Sequence, residues 1–163
     1  MQQNAVDMID KLVEDWNREK PGSRPEPMAI IGRIMRLGRG YLDEVSPMLQ
    51  PLGISYSDFD VLATLRRNGA PYSLTPTELA KNVLLSSGAM TACLTRLEDA
   101  SLIERVDHEF DRRSRSALLS TKGVKLVESL IDQRFELARR QLDPLNATER
   151  DTLEALLRRL EFP

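Results

Sequence analysis

The sequence predicts a mainly α-helical chain carrying one small β-hairpin, and three observations predict it. Apolar residues recur at spacings of three and four through most of the 163 residues, as helices with one buried face require. A serine, threonine or asparagine stands three residues before an acid at Ser55 and Asp58, at Thr75 and Glu78, and at Asn146 and Glu149; each pair forms a capping box that starts a helix. Between residues 102 and 119 the helical period gives way to two short apolar runs around the polar stretch DHEFDRRSR, which reads as a hairpin.

The elements follow in order. A first helix is expected over residues 5–19, with Val6, Ile9, Val13 and Trp16 on one face. Pro21, Pro25 and Pro27 enclose a Gly-Ser-Arg linker that must end it. A second helix over residues 28–49 aligns Ile31, Ile34, Met35, Gly38 and Leu42, and Gly38 offers a place for close helix packing. The box of Ser55 and Asp58 opens a third helix, with Phe59, Val61, Leu62 and Leu65, that ends near Gly69. At Thr75-Pro76-Thr77-Glu78 the threonine caps and proline takes the first helical position, where its missing N–H costs nothing. The segment ELAKNVLLSSGAMTACLTRLEDA then divides at Leu85 and Ser86 into two helices joined by a tight turn, the second capped by Ser86. Residues 102–106 and 116–119 are the hairpin strands. Ser120 caps a long helix with two apolar stripes, one of Val124, Val127, Ile131, Phe135, Ala138 and Leu142, the other of Leu126, Leu130 and Leu137. One apolar face suffices for a monomer core, so two point to a partner chain. Asn146 opens a last helix with Leu153, Leu156, Leu157 and Leu160.

Composition bounds what this architecture does. Hydrophobic residues at 41% and charged residues at 29% describe an ordinary soluble domain. No apolar run approaches the roughly 18 residues that span a bilayer. The acidic residues within the N-terminal apolar stretch do not read as a secretion signal, which places the protein in the cytoplasm without a membrane partner. One cysteine and one histidine, Cys93 and His108, exclude a disulfide framework and a zinc site of the usual kind, and no metal or cofactor is expected. No nucleophile, base and orienting acid stand at a telling spacing, and the chain does not read as an enzyme. A net charge of −2 does not advertise nucleic-acid binding, so that case rests on where the arginines lie.

Helix, turn, helix, strand, charged loop and strand in succession make a winged helix-turn-helix. In the helix opened by Ser86, the side chains of Met90, Leu94 and Leu97 share one face. The opposite arc carries Ser87, Gly88, Thr91, Ala92 and Thr95, short groups that let a backbone approach base edges in the major groove. Pro76 and Thr77, at the start of the preceding helix, complete the expected contact set. The hairpin loop places Arg112, Arg113 and Arg115 within four residues, positioned to enter the minor groove or bind phosphate. Asp111 beside them is suited to orienting Arg113. A solvated charged turn is the plainer reading of this loop, and a surface position that of His108.

The run LTPTELAKNVLLSSGAMTACLTRLEDASLIERVDHEFDRRSRSALLSTKG resembles the core of the MarR family of transcriptional regulators, and the resemblance extends from about Trp16 to Leu160. Its most specific element is Asp111-Arg112-Arg113, followed by Leu119 and Gly123; Ser101 and Ser120 replace a customary glycine and threonine. The resemblance implies one domain over residues 1–163, with segments 1–50 and 121–163 as a helical dimerisation lobe and 51–120 as the DNA-binding lobe. It also implies a homodimer on a palindromic double-stranded DNA operator, a repressor role and a ligand pocket between the lobes. The stretch WNREKPGSRPEPMAIIGRIMRL further resembles the urate-responsive subgroup with an extra N-terminal helix. That likeness implies ligand-binding roles for Trp16, for Asp60 and for position 93, where Cys93 stands in place of an arginine. An anionic purine thereby loses its charged partner, and a small phenolic or neutral aromatic effector is expected. Plainer roles are core packing for Trp16, a solvated or capping carboxylate for Asp60 and a buried inert thiol for Cys93. Other functions also stay open: an architectural DNA-binding dimer without effector, a thiol-based redox sensor acting through Cys93, or a helical enzyme or protein-interaction module that keeps the winged fold without DNA function.

Overall fold

Each start signal builds its helix. Asp7 opens α1 (Met8–Glu19), its carboxylate accepting from the backbone N–H of Ile9 at 2.7 Å and of Asp10 at 3.0 Å. The fold is that of a computed structural model, which describes residues 7–83, 85–107 and 115–160; Ala5 and Val6 lie outside them. From α2 (Pro27–Leu49), Arg33 reaches Asp7 and Asp10 at 3.0 and 2.7 Å, fastening the two helices. They pack closely at Gly32, where a Cβ would meet Ile9 Cδ1 at 3.0 Å. Gly38, expected to serve that purpose, has nothing within 4 Å of such a Cβ, because its face of α2 does not point at α1. The chain forms two compact units, residues 1–44 and 45–163, and α1 with most of α2 makes up the first.

The second unit is organised around α3 (Tyr56–Arg67). Ser55 and Asp58 complete both bonds of the predicted box, and Phe59, Val61, Leu62 and Leu65 turn inward. With α3 pack α5 (Ser87–Asp99), α6 (Thr121–Gln141) and the sheet, and the shared core includes Leu94, Leu97, Ile103, Leu119, Val127 and Leu130. Before α5 lies the short α4 (Pro76–Ala80), whose capping box is also complete. The sheet has three antiparallel strands in the order β1 (Ser73–Leu74), β3 (Arg115–Leu119), β2 (Ile103–Asp107). Ile103 faces Leu119 and Asp107 faces Arg115 across the predicted hairpin. The third strand was not expected: β1 is two residues long, too short for any alternation to show.

The end of α5 explains a departure noted in the sequence. Leu102 donates its N–H to the Leu97 carbonyl and Ser101 to that of Glu98, at 2.9 and 2.8 Å, which is the Schellman closure. Ser101 sits in it at φ +58°, a left-handed conformation that glycine adopts without a Cβ penalty. Ser101→Gly is therefore expected to stabilise the fold by about 1 kcal/mol. A urea-denaturation midpoint equal to that of the parent would refute this.

Only part of the predicted stripes is core. Val127 and Leu130 of α6 are buried, but Phe135 is 62% exposed. In α7 (Ala147–Arg158) and the turn after it, Leu153, Leu156, Leu157 and Leu160 all stay exposed. No helix among the described residues is long and apolar enough to cross a membrane.

Candidate nucleic-acid interface

The helix pair is built by local chemistry. Thr75 accepts from the N–H of Glu78 and the Glu78 carboxylate accepts from that of Thr75, at 3.2 and 2.8 Å, with Pro76 at the first helical position. Leu79 and Val83 anchor α4 and the turn in the core. The turn is tied back to α3 where Arg67 Nη2 donates to the Asn82 carbonyl at 3.2 Å. Ser86 then caps α5, its hydroxyl accepting from Ala89 N–H at 3.3 Å.

In α5 the two faces separate as the spacing predicts. Met90, Cys93, Leu94 and Leu97 are buried, while Ser87, Gly88, Thr91, Ala92 and Thr95 are exposed. The exposed arc from Ser86 to Thr95 holds no charged side chain. The helix N-terminus adds its partial positive charge there. The hydroxyls of Thr91 and Thr95 donate to the carbonyls of Ser87 and Thr91, each at 3.1 Å. Their protons are occupied by the helix, so each oxygen presents lone pairs outward and each side chain a methyl group. Thr77 is exposed at the start of α4 and Pro76 partly so.

Of the wing arginines, Arg112 and Arg113 lie outside the described residues, as do Asp111 and His108. Arg115 is the first residue of β3, exposed, with its Nε 3.5 Å from the Asp107 carboxylate. The proposed ligand set divides: Trp16 belongs to the first unit, 51% exposed, and Asp60 and Cys93 to the second. Asp60 is half-buried on α3, and burial raises its carboxyl against the opposing charge of Arg67. Cys93 is fully buried, its Sγ 3.7 Å from the Ser57 carbonyl. Burial first, then the facing Asp58 carboxylate, push its thiol up to about 12. The redox-sensor alternative needs an exposed thiolate; this buried, protonated thiol is not one, and that expectation is corrected.

Sequence reasoning passed over the most constrained ionic group near α5. Asp58, seen there only as a cap, is 3% exposed and binds Arg96 of α5, with Nη2 to Oδ1 at 2.7 Å and Nε to Oδ2 at 3.4 Å. Burial raises its carboxyl, but the hydrogen bonds from Arg96, Ser55 and Cys93 outweigh that and hold it below the usual carboxylate range. The spacing of Ser55 and Asp58 signals the cap, and nothing local signals a partner 38 residues away.

A short helix, a tight turn, a second helix with a buried apolar face and a small-residue outer face, and a strand pair behind it define a winged helix-turn-helix protein. Comparison with known proteins agrees. The sequence profile of the MarR family matches residues 54–114. The HTH-type transcriptional regulator PecS of Dickeya dadantii is 33% identical over 153 residues, covering 94% of this chain and 92% of that one. The multiple antibiotic resistance protein MarR of Escherichia coli is 31% identical over 134 residues, covering 80% and 90%. The crystal structure of a mutant E. coli MarR complexed with operator DNA superposes with a TM-score of 0.71 at 28% identity, covering 89% and 96%. The chain belongs to the MarR family of DNA-binding transcriptional regulators.

Proposed function

We propose that the chain is a homodimeric repressor that reads a palindromic operator with α5 and is released by a small aromatic effector. The observation that carries the reading is the outer arc of α5, from Ser86 to Thr95, exposed and free of charged side chains while the opposite face is buried. With their hydroxyl protons directed to the backbone, Thr91 and Thr95 suit base edges that donate, such as adenine N6 or cytosine N4, and their methyl groups suit that of thymine. Arg115, with Arg112 and Arg113, is assigned to phosphate or the minor groove, and Pro76 and Thr77 to the DNA backbone. Superposition on a relative complexed with operator DNA supports this.

The exposed leucines of α7 and Phe135 of α6 support a dimer, because covering such a side chain is worth about 1.5–3 kcal/mol. Segments 1–50 and 121–163 are assigned to dimerisation and 51–120 to DNA. The half-buried Asp60 carboxylate supports an effector that bears a hydrogen-bond donor, such as a phenol. A two-fold dimer places its half-sites about 34–36 Å apart, one turn of DNA. Sedimentation at micromolar concentration is expected to give a dimer, and footprinting two protected stretches at that spacing. A compact monomer, or a single protected half-site, would overturn the reading. Adding phenols to the complex separates a ligand-responsive repressor, which releases the DNA, from an architectural dimer, which does not.

A further inference from the structure

We infer that the ion pair of Asp58 and Arg96 is a latch that sets the tilt of α5 on DNA. The inference rests on the reading of α5 as the recognition helix. The apolar contacts of Met90, Leu94 and Leu97 hold α5 to the core, but such contacts are non-directional and tolerate small rotations. Base readout does not, since a constellation of contacts must be held to within about 0.5 Å and 10–20°. Among the described residues, the directional ties made by side chains of α5 itself are few. Arg96 grips Asp58 at 2.7 and 3.4 Å, the Cys93 thiol approaches the Ser57 carbonyl, and Glu98 meets Arg105 of β2 at 3.6 Å. The first is the strongest, because it is a charged fork on a carboxylate that is almost wholly buried.

One carboxylate serves two helices. Oδ2 of Asp58 accepts from the N–H and hydroxyl of Ser55 at 2.9 and 2.7 Å, closing the cap of α3, and Oδ1 accepts from Arg96. The N-terminus of α3 and the last turns of α5 are thereby fixed by one group, and any shift at the start of α3 passes to the reading helix. The same bonds bear on the plainer assignment of Arg96 to a DNA phosphate. Two of its three nitrogens point at Asp58, and its charge is neutralised there. Arg96 is a positioning residue in this account, acting through the placement of Thr91, Ala92 and Thr95.

The test uses the full-length protein and two fluorescent duplexes, one selected by that protein from a random-sequence library and one scrambled. Binding is measured across a salt series, well below the melting temperature, with the folded fraction checked by circular dichroism. Asp58→Asn and Arg96→Gln are each expected to reduce the ratio of affinities for the two duplexes roughly tenfold, as coupling through a contiguous network permits. The double variant should be no worse than the single ones, because both remove the same contact. The slope of affinity against salt should stay unchanged, since no phosphate contact is lost. Arg96→Lys should recover only part of the ratio, as an ammonium cannot form the fork.

Arg96→Gln alters a half-exposed side chain, so it remains informative if Asp58→Asn fails to fold. Tighter binding by Asp58→Asn with a steeper salt slope would overturn the proposal, showing that Asp58 competes with DNA for Arg96. Lower melting temperatures with an unchanged affinity ratio would also overturn it, leaving the pair a purely structural one. Failure of the parent protein to enrich any duplex would instead remove the underlying reading of α5, a result distinct from these two.

Discussion

Gly123→Ala is expected to cost the fold about 3 kcal/mol, near the upper end for overpacking a well-packed site. Gly123 lies in the first turn of α6, which starts directly over the turn joining α5 to β2. Three hydrogen bonds clamp the two together: Ser120 N–H to the Leu102 carbonyl at 3.1 Å, Ser120 Oγ to that of Ser101 at 2.8 Å, and Lys122 Nζ to that of Ala100 at 2.8 Å. A Cβ on Gly123 would penetrate the Leu102 carbonyl oxygen, and would stand 3.1 Å from its carbon and 3.3 Å from Leu119 Cδ2. The obstacle is backbone, which cannot rotate aside as a side chain does, so α6 must slide and break part of that clamp. Alanine's better helix propensity returns only about 1 kcal/mol. The net loss corresponds to a melting temperature lower by roughly 10 °C for a chain of this size. Urea denaturation of both proteins checks it, and a difference under about 1 kcal/mol would show that the α5–β2 turn yields more easily than its hydrogen bonds imply.

How much of this was legible in the sequence depends on distance along the chain. The boxes at Ser55, Thr75 and Asn146 are complete within four residues, and each builds the helix it announces. The two faces of α5 follow from a period of 3.6, with Met90, Leu94 and Leu97 on the buried one. Interactions between distant segments were not legible. β1 exists because Ser73 and Leu74 pair with Leu118 and Ala117, which two residues cannot announce. Arg96 looks like an ordinary cation on an outer face until Asp58, on another helix, is brought beneath it. Gly123 was visible as a family feature, but its reason lies in the close approach of Leu102. Periodicity also does not say what covers an apolar stripe: Val127 is covered by this chain, and Phe135 is not.

Ala92→Glu is expected to weaken binding to the selected duplex more than a hundredfold while leaving the fold intact. Ala92 is exposed in the middle of α5, four residues after Gly88 and beside Thr91. A change at such a site ordinarily moves stability by no more than about 0.5 kcal/mol, and glutamate is a good helix former. On the outer arc the consequence is different. A carboxylate there enters the arc from Ser86 to Thr95, which carries no charged side chain, facing a polymer with one negative charge per ~1.7 Å of duplex. Juxtaposing like charges costs several kcal/mol, and about 2.7 kcal/mol already corresponds to a hundredfold. Ala92→Gln separates charge from bulk, because it keeps nearly the same size without the carboxylate. Binding lost in the glutamate variant and largely kept in the glutamine variant identifies repulsion by phosphate, and the loss should shrink as salt screens it. Binding lost equally in both identifies steric exclusion from the groove, which still places Ala92 against DNA. Parental affinity in both variants, with normal folding, would mean that the outer arc of α5 does not face DNA, and the proposed mode of operator reading would have to be abandoned.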